Sequence, residues 1–332
     1  MSGVQRYTLE LLKRWSAKQY ATLAPKGSVS GVSGHLWEQF VLPRKLQGGM
    51  LFSPSNTGPL EVKNQVLTIH DVVPLDHPEW LNPSFAAWYC YLIPRLARRV
   101  EHVIAVSAYS KKRIVYHTGI PSEKVTVISN GIDSSFFPRN DEEVDSVRRV
   151  LGISSRSYIL SLGSLEPRKN LHGLLQAWEA TLDRIPDDVW LVIVGGKGRK
   201  QVFQDVKMST LPPRVYTTGH VADEHLPALY SGALAFAYLS FYEGFGLPPL
   251  EAMAAGTPVL TSNRTALPEV VGDAGLMVDP LRKDDIAEAL LRLLENSDMR
   301  ADFAAKGIKR AKLFNWDKTA ELTWQVLHTM TL

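Results

Sequence analysis

Short, continuous apolar runs alternate along this chain with stretches in which apolar residues recur every third or fourth position, the pattern of buried strands separated by amphipathic helices. In the first half, Tyr20–Ala24, Met50–Ser53, Val66–Ile69, Val103–Val106 and Val125–Ile128 read as strands, and Gln5–Lys18, Ser84–Arg99 and Ser107–Gly119 as helices, with Ser107 a good N-cap. The charged, turn-rich segment Asp133–Asp145 reads as a linker. The pattern then restarts. Strands are predicted at Tyr158–Leu162, Trp190–Val194, Val215–Thr217, within the buried run Ala233–Leu239, at Pro258–Thr261 and at Gly275–Val278. Helices fit Leu171–Thr181 and Leu250–Ala255; Pro248 and Pro249 fall in the first turn of the latter, where a missing N–H does no harm. A closing helix spans Trp316–Thr329, in which Trp316 and Trp324 read as packing residues.

This alternation predicts an α/β protein of parallel layers: two Rossmann-like domains in series, facing a cleft, each presenting ligand at the carboxyl ends of its strands. The expected divisions are residues 1–135, 136–315 and a final helix, 316–332, packing across both domains. A length of 332 residues agrees, since it exceeds what one ordinary core organises. No apolar run approaches the roughly 18 residues of a membrane span, and the chain opens into an amphipathic helix pattern, not a signal peptide. The single cysteine, Cys90, excludes an internal disulfide and suits a reducing cytoplasm.

The formal charge of +3 hides an asymmetry. Residues 1–140 hold 16 Lys+Arg against 9 Asp+Glu, a balance of +7, and residues 141–332 hold 21 against 25, a balance of −4. Lys13-Arg14, Arg44-Lys45, Arg95/Arg98/Arg99 and Lys111-Lys112-Arg113 are either ordinary solubilising helix faces or contacts for an anionic membrane surface or a phosphate-bearing acceptor. Nucleic acid is the poorer reading, because no motif of the known nucleic-acid-binding folds appears.

The most informative stretch is Glu243–Glu251, where two carboxylates bracket a Gly-x-Gly turn and a double proline between a strand and a helix. The amides of Phe245, Gly246 and Leu247, following Gly244, are expected to point outward at the helix N-terminus, a site for phosphate or a polarised hydroxyl. Glu251, on the first turn, has only acceptor oxygens and suits two vicinal hydroxyls such as those of a ribose. The plainer alternative makes Glu251 a complement to the helix dipole and Glu243 a solvated loop residue. Gly163, Ser164, Leu165 and Glu166 lead, directly after a strand, to Pro167 and the adjacent cations Arg168 and Lys169. Such a pair can neutralise a diphosphate as charge builds on it, Arg168 by a forked contact and Lys169 as a point charge; otherwise they are surface charges. His70, ending a strand beside Asp71, is either a hydrogen-bond donor to a sugar hydroxyl or developing phosphate charge, or a capping or core histidine. Gly195-Gly196-Lys197-Gly198 is only a generic phosphate-loop pattern, and no dinucleotide fingerprint, Walker sequence or metal-ligand spacing is visible.

Together these residues resemble the retaining glycosyltransferases of family 4, also called group 1, which have the GT-B fold. The resemblance is carried by Glu243–Glu251, Leu165–Asn170, Pro258-Val259 with Leu267-Pro268-Glu269, and Phe314–Trp316; in the first half, by Gly3–Tyr7, Ser53–Asn56, His70-Asp71, Ser107–Lys111 and Asn130–Asp133. It covers nearly the whole chain. It implies transfer of a sugar, by front-face attack with retained configuration, from a nucleoside diphosphate sugar to an acceptor hydroxyl, with no cofactor and no metal. The first domain would then serve the acceptor, a carbohydrate or lipid-linked one, and the second the donor. Glu251 would bind the ribose and Glu243 the donor sugar, assisted by the Gly244–Leu247 amides. Arg168 and Lys169 would bind the diphosphate, and His70 would lie beside the reacting sugar. Many relatives have arginine directly after the glycine equivalent to Gly163; Ser164 stands here, so Arg168 must carry more of the charge. The Leu-Glu-Pro-Arg-Lys-Asn branch resembles mannosyl- and rhamnosyltransferases of polysaccharide assembly, which implies GDP-mannose as the first donor to consider. It implies a cytoplasmic enzyme, peripheral at the inner face of the membrane.

Three other readings share parts of this pattern: a GT-B nucleotide-sugar epimerase, a nicotinamide-dependent oxidoreductase and a catalytically silent GT-B partner subunit. The turn Gly3–Tyr7 follows only two residues, where family members have a strand. The expectation is therefore either a true start upstream of this one, or a first sheet that lacks its first, central strand and is markedly less stable than the second.

Overall fold

The computed structural model describes residues 3–25, 27, 31–46, 48–163, 166–195 and 211–331. They form two compact units, one comprising residues 1–78, 83–131 and 315–332, the other 79–82 and 132–314. The closing helix, Trp316–Thr331, belongs to the first unit.

Unit 1 is built on four parallel strands lying in chain order: β1 (Leu51–Ser53), β2 (Gln65–Ile69), β3 (His102–Ala105) and β4 (Val125–Val127). β2 and β3 are wholly buried, as expected for a parallel sheet covered on both faces. One face packs Leu67, Ile69, Val103 and Ala105 under helix Pro83–Arg99 and helix Ala108–Thr118. On the other, Val66, Ile104 and Ile128 meet Leu322, Val326 and Leu327 of the closing helix. Ser107 caps the helix at Ala108, its hydroxyl accepting from the Ser110 N–H at 3.0 Å. The expected strand at Tyr20–Ala24 does not form. Its residues 21–24 are exposed, so extended pairing there would bury no apolar face. Among the described residues no strand flanks β1 on its outer side.

Unit 2 holds six parallel strands: β5 (Ser157–Leu162), β6 (Val189–Val194), β7 (Val215–Gly219), β8 (Ala235–Tyr238), β9 (Val259–Ser262) and β10 (Gly275–Val278). Their order is β10-β9-β8-β5-β6-β7. The chain winds from β5 outward through β6 and β7, then returns to the other side of β5, so the order reverses between β5 and β8. In doubly wound sheets that reversal opens a crevice at the carboxyl ends of the two strands. Helices Leu171–Glu179 and Lys283–Glu295 cover one face through Leu174, Trp178, Ile286 and Leu290. The expected linker Asp133–Asp145 is partly helix, Asp141–Val150. Asn140 and Glu143 form a reciprocal capping box, and the acidic residues Asp141–Glu143 complement the helix dipole, so the charges begin a helix instead of marking a loop.

Candidate active site

The loops after β5 and β8 meet at this reversal. Past Gly163, the chain passes Glu166 into a single turn, Pro167–Lys169, and then Asn170, whose left-handed backbone and side chain cap helix Leu171–Glu179. The Phe241 N–H donates to the Arg168 carbonyl at 2.8 Å, fixing the two loops to each other.

Three donors converge on one oxygen of Glu243. Lys169 Nζ lies 2.7 Å from Oε1, Arg168 Nη1 3.1 Å and the Tyr238 hydroxyl 2.8 Å. Lys169 also donates to the Tyr238 hydroxyl, and Arg168 Nε donates to Glu166 Oε2 at 2.8 Å. Burial alone would raise the Glu243 pKa; the positive charges of Lys169 and Arg168, with hydrogen bonds from Lys169 and Tyr238, more than reverse this and hold it at about 2. Burial, then the neighbouring Arg168 charge, lowers that of Lys169 against the pull of Glu243 and Glu166. Burial and the Glu243 carboxylate push the Tyr238 phenol well up. Glu243 is thus ionised. Arg168 and Lys169, expected from sequence to neutralise a diphosphate, are already matched here by Glu166 and Glu243, so that this four-residue cluster has no net charge.

The backbone of Glu243 is held from a third strand end, its N–H donating to Thr265 Oγ1 at 3.1 Å. Thr265, past β9, has φ +60°, a conformation costly for a β-branched residue and one that concentrates at functional sites. Sequence reading overlooked Thr265 and treated Tyr238 only as strand. The alternation of β8 gave no sign that Tyr238 turns its hydroxyl into a charged cluster. A recess lined by Ser161, Leu162, Gly163, Lys169, Tyr238 and Leu239 opens beside it.

Downstream, Gly246 stands at the N-cap of helix Leu247–Ala254 with φ +117°, and a Cβ there would lie 2.8 Å from Leu267 Cδ2. Phe245 is buried edge-on to Phe314, with ring centroids 5.7 Å apart. Because Pro248 and Pro249 bring no N–H, this N-terminus supplies fewer donors than a usual helix. Glu251 sits one turn deeper than expected, buried, with Oε2 accepting from the Tyr230 hydroxyl at 3.1 Å. Ser164 and most of the Gly195–Gly198 pattern lie outside the described residues.

His70 follows β2 in unit 1. Its Nε2 is 2.8 Å from the Pro54 carbonyl, which can only accept, so Nε2 carries the proton and Nδ1 the lone pair. Its N–H donates to Asn56 Oδ1 at 2.6 Å and its carbonyl accepts from Ser110. Burial lowers the ring's pKa to about 4 against the Pro54 hydrogen bond. In this tautomer the ring's one N–H is engaged by the Pro54 carbonyl.

Residues 143–310 match the family of glycosyl transferases group 1, and residues 58–136 match glycosyltransferase family 4. The O-antigen chain mannosyltransferase B of Escherichia coli is 34% identical over 271 residues, covering 80% of this chain and 70% of that protein. The serotype-specific mannosyltransferase WbdA of Escherichia coli is 28% identical over 265 residues, covering 77% of this chain but only 32% of its own length. A glycosyltransferase from Rickettsia africae ESF-5 superimposes with a TM-score of 0.72 at 16% identity, covering 99% of this chain and 95% of that one.

Proposed function

Since the chain belongs to the group 1 glycosyltransferases and has the GT-B fold, we propose that it moves a hexose, mannose from GDP-mannose in the first instance, from a nucleoside diphosphate sugar to an acceptor hydroxyl, with retention, in polysaccharide assembly. The single observation that carries this reading is the convergence of Arg168, Lys169 and Glu243 at the crevice between β5 and β8. The mannosyltransferase relatives favour the sugar and the pathway class.

The neutrality of the cluster dictates how a donor enters. A diphosphate brings only negative charge, so Arg168 and Lys169 must transfer hydrogen bonds from Glu166 and Glu243 to phosphate oxygens. Glu243, released, accepts hydrogen bonds from hydroxyls of the donor sugar, and Glu251 from those of the ribose. As the bond from the anomeric carbon to the phosphate oxygen breaks, the charge growing on the leaving group is stabilised by the two cations. The acceptor oxygen bonds to the anomeric carbon on the face the diphosphate leaves, and the acceptor's proton passes to a phosphate oxygen.

Thermal-shift titration with GDP-, UDP- and ADP-sugars, followed by turnover with the stabilising donor, tests this reading, because a bound donor raises apparent stability by mass action. Release of nucleoside diphosphate with a new glycoside is expected. Interconversion of the free hexose without a glycoside would instead indicate an epimerase.

A further inference from the structure

Unit 1 carries a second constellation of polar and aromatic groups that the donor chemistry does not use. It lies between the helical segment Val32–Lys45 and the helix Pro83–Arg99. The middle of the former, Trp37–Val41, is a π-helical turn, a wider winding that is frequent at functional sites. That turn is fixed to the loop after β1. Gln39 donates to the Gly58 carbonyl at 2.8 Å and accepts from the Leu60 N–H at 3.0 Å, while Glu38 Oε1 accepts from the Thr57 hydroxyl at 2.8 Å. The constellation therefore sits at the carboxyl end of the unit 1 sheet, where ligands of parallel sheets bind.

Three rings stand together here, that of His35 beside Glu38. His35 Nδ1 is 4.0 Å from Glu38 Oε2, and the His35 ring centroid is 5.4 Å from that of Trp88 and 5.9 Å from that of Tyr89. Tyr89 stacks on Phe85 at 4.2 Å. Burial, then the charges of Glu38 and Asp71, push the Tyr89 phenol up to about 12, so both carboxylates act on this ring. Two polar atoms are left over, withdrawn from water and without a hydrogen-bond partner: Glu38 Oε2, an acceptor, and Trp88 Nε1, a donor. Each orphan is destabilising unless something satisfies it. A hydroxyl satisfies both kinds at once, giving its proton to a carboxylate and accepting from an indole N–H. Beside them, the aromatic faces match the C–H face of a pyranose ring.

We propose that His35, Glu38, Trp88 and Tyr89 form a hexopyranose subsite for the acceptor saccharide. The assignment rests on the reading of the chain as a glycosyltransferase. Glu38 and Trp88 bind one hydroxyl, and Tyr89 and His35 flank the ring.

The full chain is compared with Glu38→Gln and Trp88→Phe, the second keeping a ring but losing the N–H, and with Thr57→Val, which frees Glu38 without altering it. Binding of methyl α-mannoside and α-linked mannotriose is followed by saturation-transfer NMR without donor, and acceptor KM by transfer from GDP-mannose. The wild type should show saturation transfer to the sugar ring protons. In the variants acceptor KM should rise at least about tenfold, the loss of one hydrogen bond to a charged group, with kcat and donor KM moving much less. A wild type that turns over donor but shows no saccharide signal, or variants with unaltered acceptor KM, overturns the subsite. A wild type that turns over no nucleotide sugar, yet shows a saccharide signal lost in Trp88→Phe, overturns the transferase reading and keeps the subsite.

Discussion

Lys169 and Glu243, 74 residues apart in sequence, are joined by a 2.7 Å ion pair buried at the ends of two neighbouring strands. Each makes the other tolerable there: burial disfavours the charged form of both, and their mutual attraction, reinforced by Arg168 and Tyr238, opposes it.

Lys169→Ala therefore leaves a buried carboxylate with less compensation. A stability loss of about 3–5 kcal/mol is expected, and Glu243→Gln in the same background should restore part of it. Urea unfolding of the two single variants and the double gives the coupling, expected above about 1 kcal/mol. Simple addition of the two losses would contradict the pairing.

Glu243→Ala and Glu251→Gln should separate in kinetics. The first removes a group assigned to the reacting sugar and should lower kcat; the second removes one assigned to the remote ribose and should chiefly raise donor KM. Losses of about 2 kcal/mol are expected for each, read from initial rates over a donor titration.

His70 makes unit 1 sensitive to mild acid. In the unfolded chain its ring takes up a proton below the ordinary value of 6.5, whereas in the fold it stays neutral down to about 4. Its contribution is fully present above pH 6.5 and is lost as pH falls from there towards 4, to a total of about 3 kcal/mol. Glu243, depressed from 4.5 to about 2, contributes above pH 4.5 and loses that contribution only below it. Denaturant unfolding at pH 7, 5.5 and 4.5 should show a decline that His70→Gln flattens. An equal slope in wild type and variant would place the proton uptake elsewhere.

Gly131→Ala should be the more damaging of two glycine substitutions. A Cβ at residue 131 would fall 2.2 Å from the Trp316 backbone nitrogen, which cannot rotate aside, whereas at Gly246 it meets only the mobile end of Leu267. Losses above about 3 kcal/mol at Gly131 and of about 1–3 kcal/mol at Gly246, where φ is +117°, are expected. Hydrogen exchange in Trp316–Thr331 should accelerate in the first variant and not in the second.

The strands of both sheets were legible because strands buried on both faces leave unbroken apolar runs, as Leu67–Ile69 and Val192–Val194 do. The loops bearing Arg168, Lys169 and Glu243 were legible as connections between an apolar run and a helix pattern. Strand order was not, and it alone makes Arg168 and Glu243 neighbours. The pairing of Arg168 and Lys169 with Glu243 depends on that adjacency, and the contact of Thr265 with Glu243 on that of β8 with β9, which no local spacing encodes. Tyr20–Ala24 and Asp141–Val150 misled for local reasons: an apolar run with no surface to bury, and acidic residues that begin a helix.

The reversal of strand order also sets when the site can exist. β5 with its Arg168 and Lys169 emerges from the ribosome first, but its partner β8 follows only after β6 and β7 have been made. Until then the two cations have no Glu243 to balance them, and closing that long loop carries an entropic cost before any contact compensates. The cluster is thus a product of late, cooperative docking: a nascent or proteolytically cut chain ending before Tyr238 holds the Glu166–Arg168 pair and Lys169 but lacks the Glu243 carboxylate that joins them.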